Sequence, residues 1–579
     1  MVALCKILIR IKFQILQRIT IEFGGFAVKK TIQSLKSEKF ICIAALVFSV
    51  VFLFWNIRDI MFTVHDDMRI YTIAKLGRLA DYAVSSAKCG RISHLWNTWL
   101  LGIPFLADSV TVYKIISFSS LLFDALGFFI LLKNHAGKNI AYISTLIFFA
   151  FGTLSPYHNL LAAYALCHQI PIGLMFFSMN FFLDSFTGRK KSNIALSTVF
   201  FLMACMIYEA FVVFILFFAV TAFLKNRCHK NNKLNINNFL RDFLPYAVVC
   251  AVYTAVYFAW RVFYPVSYDG NQFYLHEPFL SLKTIYHYSV SFSPLFEFFD
   301  MVSKHQLGLH EFLSLLTIGS IFKAMLISVI FFRVMQKISL KCPDYLLLLI
   351  SLAGVFMPNI IVGFTEKYAD WERRGTYGYL TSFYSWFFLI VFVLTAVYMI
   401  YSRINSKTGR QIFMCFMTGA VCVSCIAADV TTDIWGNSYR KLMVKYECFD
   451  AAVSGKFITN LNDGTDIYIP DNTGINKSMK YTEDYASIYS DNEIHFHTDA
   501  KELNFENRTV CMRYKSGYDL MVMAYVDENF YADTLHIAAP DDEPHSLVMT
   551  LENGSTVIYE NVKNGDIISC HNNIRFDLM

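Results

Sequence analysis

The sequence predicts a mostly α-helical polytopic membrane protein. It has about eleven transmembrane helices, amphipathic helices in the first outer loop and a small β-rich C-terminal domain. Three observations predict this. Hydrophobic residues make up 55% of the 579 and charged residues 16%, against about a quarter charged in an ordinary soluble chain. Apolar runs near the roughly 20 residues that a bilayer-spanning helix needs recur through most of the chain. From residue 432 those runs give way to short β-favouring segments separated by turn clusters.

Residues 1–37 come first and hold Lys6, Arg10, Lys12, Arg18, Lys29, Lys30 and Lys36 against the single acid Glu22. That balance suits a cytoplasmic helix lying on an anionic leaflet, and no small-residue cleavage site marks a secretory signal. The transmembrane region 38–431 follows, with spans expected near 40–57, 111–132, 139–155, 166–187, 193–208, 211–225, 243–262, 315–336, 345–363, 378–401 and 411–429. With the N-terminus cytoplasmic, the even-numbered connections fall at Lys133–Lys138, Gly188-Arg189-Lys190-Lys191, Lys225–Lys233, Lys337–Lys341 and Arg403–Arg410. All five are short and basic, as the positive-inside rule requires. The long loops 58–110 and 263–314 then face outward, together with the domain 432–579. The basic inner loops fit a bacterial plasma membrane and an ER membrane equally well, and the composition leans toward the bacterial plasma membrane, which is the expected location.

In the tail, Asp466-Ile467-Tyr468-Ile469, Thr509-Val510-Cys511-Met512 and Ser546-Leu547-Val548-Met549 read as strands, with Asn462-Asp463-Gly464 and Asn553-Gly554 as turns. The 14 cysteines show no zinc spacing. Most, such as Cys205, Cys250 and Cys415, sit in apolar runs. Cys511 and Cys570 share the exported domain and could form a disulfide, leaving Cys448 over. The basic residues flank apolar spans and form no nucleic-acid-binding motif, so no nucleic acid is expected as a partner.

The strongest chemical signal lies just after the first span, in Val64-His65-Asp66-Asp67-Met68-Arg69-Ile70-Tyr71. Adjacent carboxylates at a membrane surface are expensive to desolvate. They fit either a solvated helix N-terminus, where acids complement the helix dipole, or a reaction site. The loop continues through Asp81, Gly90-Arg91-Ile92-Ser93-His94-Leu95-Trp96 and Gly102-Ile103-Pro104 to Val112-Tyr113-Lys114. It is aromatic and apolar yet too interrupted to span, which predicts helices lying in the interface.

The acid pair followed by Arg69 and Tyr71 resembles the Asp-Glu-x-Arg-Tyr motif of GT-C superfamily glycosyltransferases, nearest to glucosyltransferases that decorate surface polysaccharides. The second acid here is Asp, and one extra residue separates the Arg from the Tyr. His94-Leu95 and the basic Lys114 also resemble that superfamily's first loop. The resemblance implies transfer of a sugar from a polyprenyl-phosphate carrier to a glycan or lipid acceptor at the outer face, with inversion. It makes Asp66 the candidate general base, lets Asp67 orient the acceptor, and makes Arg69, His94 and Lys114 candidate substrate contacts. No cofactor is implied, although a divalent cation between the two acids stays open. A polysaccharide polymerase or ligase and a lipid-linked-substrate transporter are the competing readings. Against the transporter, the acids cluster outside the bilayer midplane and the two halves of the chain show no repeat.

A leaving phosphate needs fixed positive charge. The outward segment Glu366-Lys367-Tyr368-Ala369-Asp370-Trp371-Glu372-Arg373-Arg374 supplies Lys367, Arg373 and Arg374 as candidate carrier-phosphate ligands. Local pairing with Glu366, Asp370 and Glu372 is the equal alternative. Glu209 lies within an apolar stretch and is a candidate by that placement, or else part of a hydrogen-bonded turn. His158 and His168 flank the third outer connection, where a structural role is the commoner one. The loop bearing Tyr264, Tyr268, Asp269, Tyr274, His276 and Glu277 could stack sugars or simply anchor at the interface.

Overall fold

The computed structural model describes residues 38–60, 65–107, 109–188, 191–227, 235–305, 308–469, 479–505, 509–551 and 555–575. The basic segment 1–37 expected on the cytoplasmic surface lies outside the described residues, as do parts of two basic connections, 189–190 and 228–233.

The first span is α1 (Glu38–Ile57). The loop after it, expected on the outer face, folds as α2 (His65–Lys75), α3 (Leu79–Ala87), α4 (His94–Gly102) and a 3-10 turn at Ile103–Phe105. The bundle continues with α5 (Val110–His135), α6 (Lys138–Ala150), α7 (Ile170–Gly188), α8 (Lys191–Ile207), a 3-10 turn at Glu209–Phe214, α9 (Ile215–Arg227) and α10 (Ile236–Phe263). The second long outer loop holds α11 (Pro278–Val290), α12 (Pro294–His305) and α13 (Leu309–Ser314). Then come α14 (Ile318–Met335), α15 (Asp344–Gly363), α16 (Glu366–Arg373), α17 (Leu380–Arg403) and α18 (Lys407–Ser454).

Among the described residues, 8 helical segments are long and apolar enough to cross a membrane. The other three expected spans fall on α6, α7 and α8, which are apolar but shorter. The expected count of about eleven therefore stands at eight by length. The clearest departure is the span expected over 139–155. Helix α6 stops at Ala150, and residues 151–169 form a non-helical loop that is almost wholly buried. Irregular backbone survives at such depth only when protein surrounds it. Hydropathy reports burial and does not distinguish a buried loop from a helix.

A second difference concerns the last span. Helix α18 is unbroken over 48 residues, through the boundary expected at 431/432. At 1.5 Å per residue it is about 72 Å long, more than twice a hydrocarbon core of about 30 Å. Its outer half is polar enough to end an apolar run, but its periodicity persists. Tyr446, Phe449, Ala452 and Val453 enter the core of the C-terminal domain. The bundle and the C-terminal domain thus share one rigid rod.

That domain adds α19 (Lys456–Thr459), α20 (Met479–Ala486) and eight strands: β1 (Thr465–Tyr468), β2 (Ile494–His497), β3 (Val510–Lys515), β4 (Leu520–Tyr525), β5 (Tyr531–Ala538), β6 (His545–Thr550), β7 (Thr556–Val562) and β8 (Ile567–Arg575). Six form a mixed sheet in the order β2-β1-β3-β4-β5-β8, and β6 and β7 form a separate hairpin. Strand β1 is parallel to both β2 and β3, and the remaining pairs are antiparallel. The strands expected from sequence coincide with β1, β3 and β6, and Gly464 takes the left-handed φ of +75° that its turn needs. The possible Cys511–Cys570 disulfide does not form, and both cysteines are buried thiols. Cys511 is on β3 and Cys570 on β8, three strand spacings or about 14 Å apart. A disulfide needs Cα atoms within about 7 Å.

The domain also packs onto the first outer loop. Met68 of α2 belongs to the same apolar cluster as Phe449, Ile467 and Tyr485.

Candidate active site

Helix α2 begins with both acids in its first turn, where carboxylates complement the helix dipole. Successive residues on a helix point about 100° apart, so the two side chains face different surroundings. Asp67 is buried, accepting from the Tyr113 hydroxyl at 2.5 Å and from the Tyr164 backbone N–H at 3.1 Å. Asp66 is half-buried and accepts from the Tyr164 hydroxyl at 2.7 Å. Tyr164 thus stands between the acids, its N–H going to one and its O–H to the other.

The loop pays for this placement in backbone strain. Tyr164 has φ +58° and Leu166 φ +69°, both in the left-handed region. Each costs on the order of 1–3 kcal/mol in a non-glycine residue, and such strain clusters at functional sites.

Beyond Tyr164 the contacts form a chain. The Tyr164 hydroxyl also meets Nδ1 of His158. Since the hydroxyl proton goes to Asp66, Nδ1 must carry the donor proton. The imidazole lies flat on Trp371, with ring centroids 5.3 Å apart, and its edge faces Tyr379 at 5.4 Å. Two predicted cations, Arg69 and Lys367, also act on Asp66.

These surroundings split the titration of the pair. Burial pushes the Asp66 carboxyl up, but His158, the Tyr164 hydroxyl, Arg69 and Lys367 together outweigh it and hold Asp66 below its ordinary value. Asp67 is pushed up to about 7, mainly by burial and also by the Asp66 charge, against its hydrogen bonds from Tyr113 and Tyr164. Asp66 is therefore the ionised, partly accessible acid, and Asp67 is the buried member that anchors the strained loop.

The other expected site residues divide into three groups. Lys367 is at the site: its Nζ donates to the Tyr268 hydroxyl at 2.6 Å. His94 is half-buried near it, and burial followed by the charge of Arg91 holds its pKa well below the ordinary value, so it is neutral. Glu209 is paired, 2.7 Å from Arg91, and does not stand as a free acid.

Lys114 is not placed for substrate. Its buried Nζ donates to the Ile57 carbonyl at 2.8 Å and to the Ile60 carbonyl, capping the end of α1. Arg373 is held by Glu277 at 2.5 Å and Tyr274 at 2.6 Å, and Arg374 by Asp370 at 2.6 Å. Both arginines are on the solvent side: Arg374 is paired within its own segment, the alternative the sequence left open, and Arg373 is paired with a residue of another segment.

The cation missing from that expectation is Arg91. It lines a groove of about 830 Å³ with Glu209, Arg261, Tyr208, Tyr253, Tyr257, Phe258, Val212, Ile361, Val362, Tyr368 and Tyr379. Arg261 donates to the Tyr257 hydroxyl at 2.7 Å and to the Gly90 carbonyl at 3.3 Å. Burial disfavours the Arg91 charge, but Glu209 more than restores it and holds the guanidinium well above its ordinary value. The signal for Arg91 was present in the sequence as an arginine on an outward loop. The sequence did not say that 118 residues later Glu209 would return to pair with it.

A second, polar recess of about 810 Å³ is lined by Tyr268, Asp269, Gln272, Tyr274, Glu366, Lys367, Asp370 and Arg373, and the Arg91 guanidinium lies 6.0 Å from the Tyr268 ring. Tyr379 joins the groove to the acids, since it lines the groove and also touches His158. Asp66 and Asp67 are divided by Tyr164 and do not converge on one point. Among the described residues no group of three or more His, Cys, Asp or Glu side chains is placed to hold a metal ion.

No family model matches the chain, and no curated protein matches it. Among solved structures, it is similar to the archaeal oligosaccharyltransferase AglB from Archaeoglobus fulgidus, solved in complex with an inhibitory peptide and a dolichol-phosphate. The TM-score is 0.35 at 12% identity, covering 80% of this chain and 64% of AglB. The chain therefore spans less than two thirds of AglB's length. It is also similar to ArnT from Cupriavidus metallidurans bound to undecaprenyl phosphate, with TM-score 0.35 at 10% identity, covering 82% of this chain and 93% of ArnT. At these scores the functional reading rests on the site itself.

Proposed function

We propose that the protein is a GT-C-type membrane glycosyltransferase. It moves a sugar from a polyprenyl-phosphate carrier to a hydroxyl of a glycan or lipid acceptor on the outer face of a plasma membrane. One juxtaposition carries the reading: an ionised, half-buried carboxylate near Arg69 and Lys367 is linked through Tyr164, His158 and Tyr379 to a largely apolar groove. The groove has aliphatic and aromatic walls for a lipid chain and the guanidinium groups of Arg91 and Arg261 for its phosphate. The GT-C-like motif points to the same acid.

In this reaction the acceptor oxygen forms a bond to the anomeric carbon as the carbon–oxygen bond to the phosphate breaks. The electron pair of that bond leaves with the carrier phosphate, and Arg91, Arg69 and Lys367 stabilise the charge that develops there. The acceptor proton passes to Asp66. An acid of lowered pKa is a weak base, so it takes the proton late, when attack has made the hydroxyl acidic. Direct attack in one step inverts the anomeric centre. The positive charge comes from side chains, and the reading calls for no resident cofactor.

The test is release of free polyprenyl phosphate by purified protein in lipid discs. The protein is offered a panel of polyprenyl-phosphate hexoses with cell-envelope glycan as acceptor, with and without EDTA. Wild-type release in EDTA, and a fall of about 10²–10⁴ in Asp66→Asn, are expected. Release undiminished in Asp66→Asn removes this acid as the base. Absence of release with every donor overturns the transferase reading, and release that needs a divalent ion adds a metal to it.

A further inference from the structure

The C-terminal domain reaches back to the acid-bearing helix at one side chain. Asp66 and Arg69 are three residues apart on α2 and so share a face of that helix. The Arg69 guanidinium lies between two aromatic rings: Tyr82 of α3 at 4.6 Å and Tyr481 of α20 at 4.5 Å. Tyr82 belongs to the first outer loop and Tyr481 to the exported domain, so the clamp closes only when the two units are docked. Docking is held nearby by Arg78 with Asp484 at 3.2 Å and by the rings of Tyr71 and Tyr485 at 6.2 Å. Tyr485 in turn donates to Asp450 of α18 at 2.6 Å, which ties α20 to the rod that leaves the membrane.

Two flat rings fix the plane of a guanidinium but use none of its N–H groups. The Arg69 Nε is buried and has no hydrogen-bond partner among the described residues. A buried donor without a partner is costly, and an anion is the natural partner for a guanidinium. The helix face that Arg69 shares with Asp66 puts that anion beside the proposed base.

We propose that the C-terminal domain is a working part of the transfer site, with Tyr481 as the positioning residue. It presses Arg69 against Tyr82 and so holds an anion-binding guanidinium beside Asp66. The anion is a phosphate, that of the carrier, so this deepens the transferase reading and rests on it. The domain then couples its own docking to substrate binding.

The test uses the full chain in lipid discs and phenylglyoxal, which modifies arginine, with the Arg69 peptide followed by mass spectrometry. Farnesyl phosphate serves as the short-chain probe. In Tyr481→Ala, Arg69 should react about fivefold to tenfold faster than in wild type, the scale of one cation–π contact. Tyr481→Phe should behave as wild type because it keeps the ring. Tyr82→Ala, which leaves the C-terminal domain untouched, should match Tyr481→Ala and so separates loss of the clamp from misfolding of that domain. Farnesyl phosphate should protect Arg69 in wild type and Tyr481→Phe and much less in the two alanine variants. In transfer assays the KM for carrier-sugar should rise several-fold in Tyr481→Ala and return in Tyr481→Phe. Equal Arg69 reactivity in all variants, or equal protection by farnesyl phosphate, overturns the proposal. If wild type releases no carrier from any donor, the transferase reading fails by itself, and the protection comparison still decides the clamp.

Discussion

Asp66 and Asp67 are neighbours in the chain and opposites in surroundings. Tyr164 is 98 positions from Asp66 and gives it a hydroxyl, while Tyr113, 46 positions from Asp67, covers the second acid. The resulting pKa values make a prediction about stability. The folded state holds the Asp67 proton up to about 7, whereas the unfolded chain releases it near 3.8. Between those values the native state binds the extra proton, so stability falls as pH rises through that window and levels off above about 7. Asp67→Asn removes this titration, so thermal unfolding of the variant in detergent should be flatter than wild type across the window. Asp66 has the opposite sign: its lowered pKa contributes stability above its ordinary value that is lost as pH falls through the folded value. At this scale the sequence made the acid pair legible through its motif. It did not show which acid was buried, because burial is set by residues distant in the chain. Arg373 is held from a distance in the chain in the same way, by Glu277 of another segment, whereas Arg374 pairs within its own segment with Asp370.

Helices α14 and α18 show how elements are held within the bundle. Lys323 and Asp429 form an ion pair in which both side chains are buried, and Asp429 Oδ2 has no further partner among the described residues. Taking two charges out of water offsets much of their attraction, but stranding one of them is worse. Lys323→Met should therefore cost about 3–5 kcal/mol, whereas Lys323→Met with Asp429→Leu should recover most of that loss. Equilibrium unfolding of the single and double variants tests this, and a double variant as unstable as the single would mean the pair itself supplies the stability. Hydropathy located these helices well because apolar runs of the required length have few other uses. It misplaced the end of α6, where a buried loop imitates a span, and the end of α18, where a helix outlasts its apolar surface.

The whole molecule is a bundle with a domain held on a rod. Because α18 is continuous, the angle of the C-terminal domain over the outer loops is set by one helix. Ser438 is exposed on the outer part of that helix, and its hydroxyl donates to the Ile434 carbonyl at 3.2 Å. Proline there removes a backbone hydrogen bond and clashes with the preceding turn, at about 3 kcal/mol or more, and kinks the rod. Ser438→Pro should reduce carrier release by at least about tenfold, with the bundle still monodisperse in detergent and α14 still protected from hydrogen exchange. Carrier release at the wild-type rate would mean that the site does not depend on the placement of the domain.

The sequence alone determined the class of the molecule. Apolar runs, basic connections and an alternating tail are local patterns, and membrane partitioning and strand formation respond to local composition. It also singled out Asp66 as a candidate, because the acid pair and Arg69 lie within four residues of each other. Only the tertiary structure decided which cations lie near the acids, which acid is accessible, and that the C-terminal domain reaches Arg69. These depend on contacts across long separations, such as Arg91 with Glu209 and Arg69 with Tyr481. The energy of a charge is set by what surrounds it, and that is known only once the chain is packed.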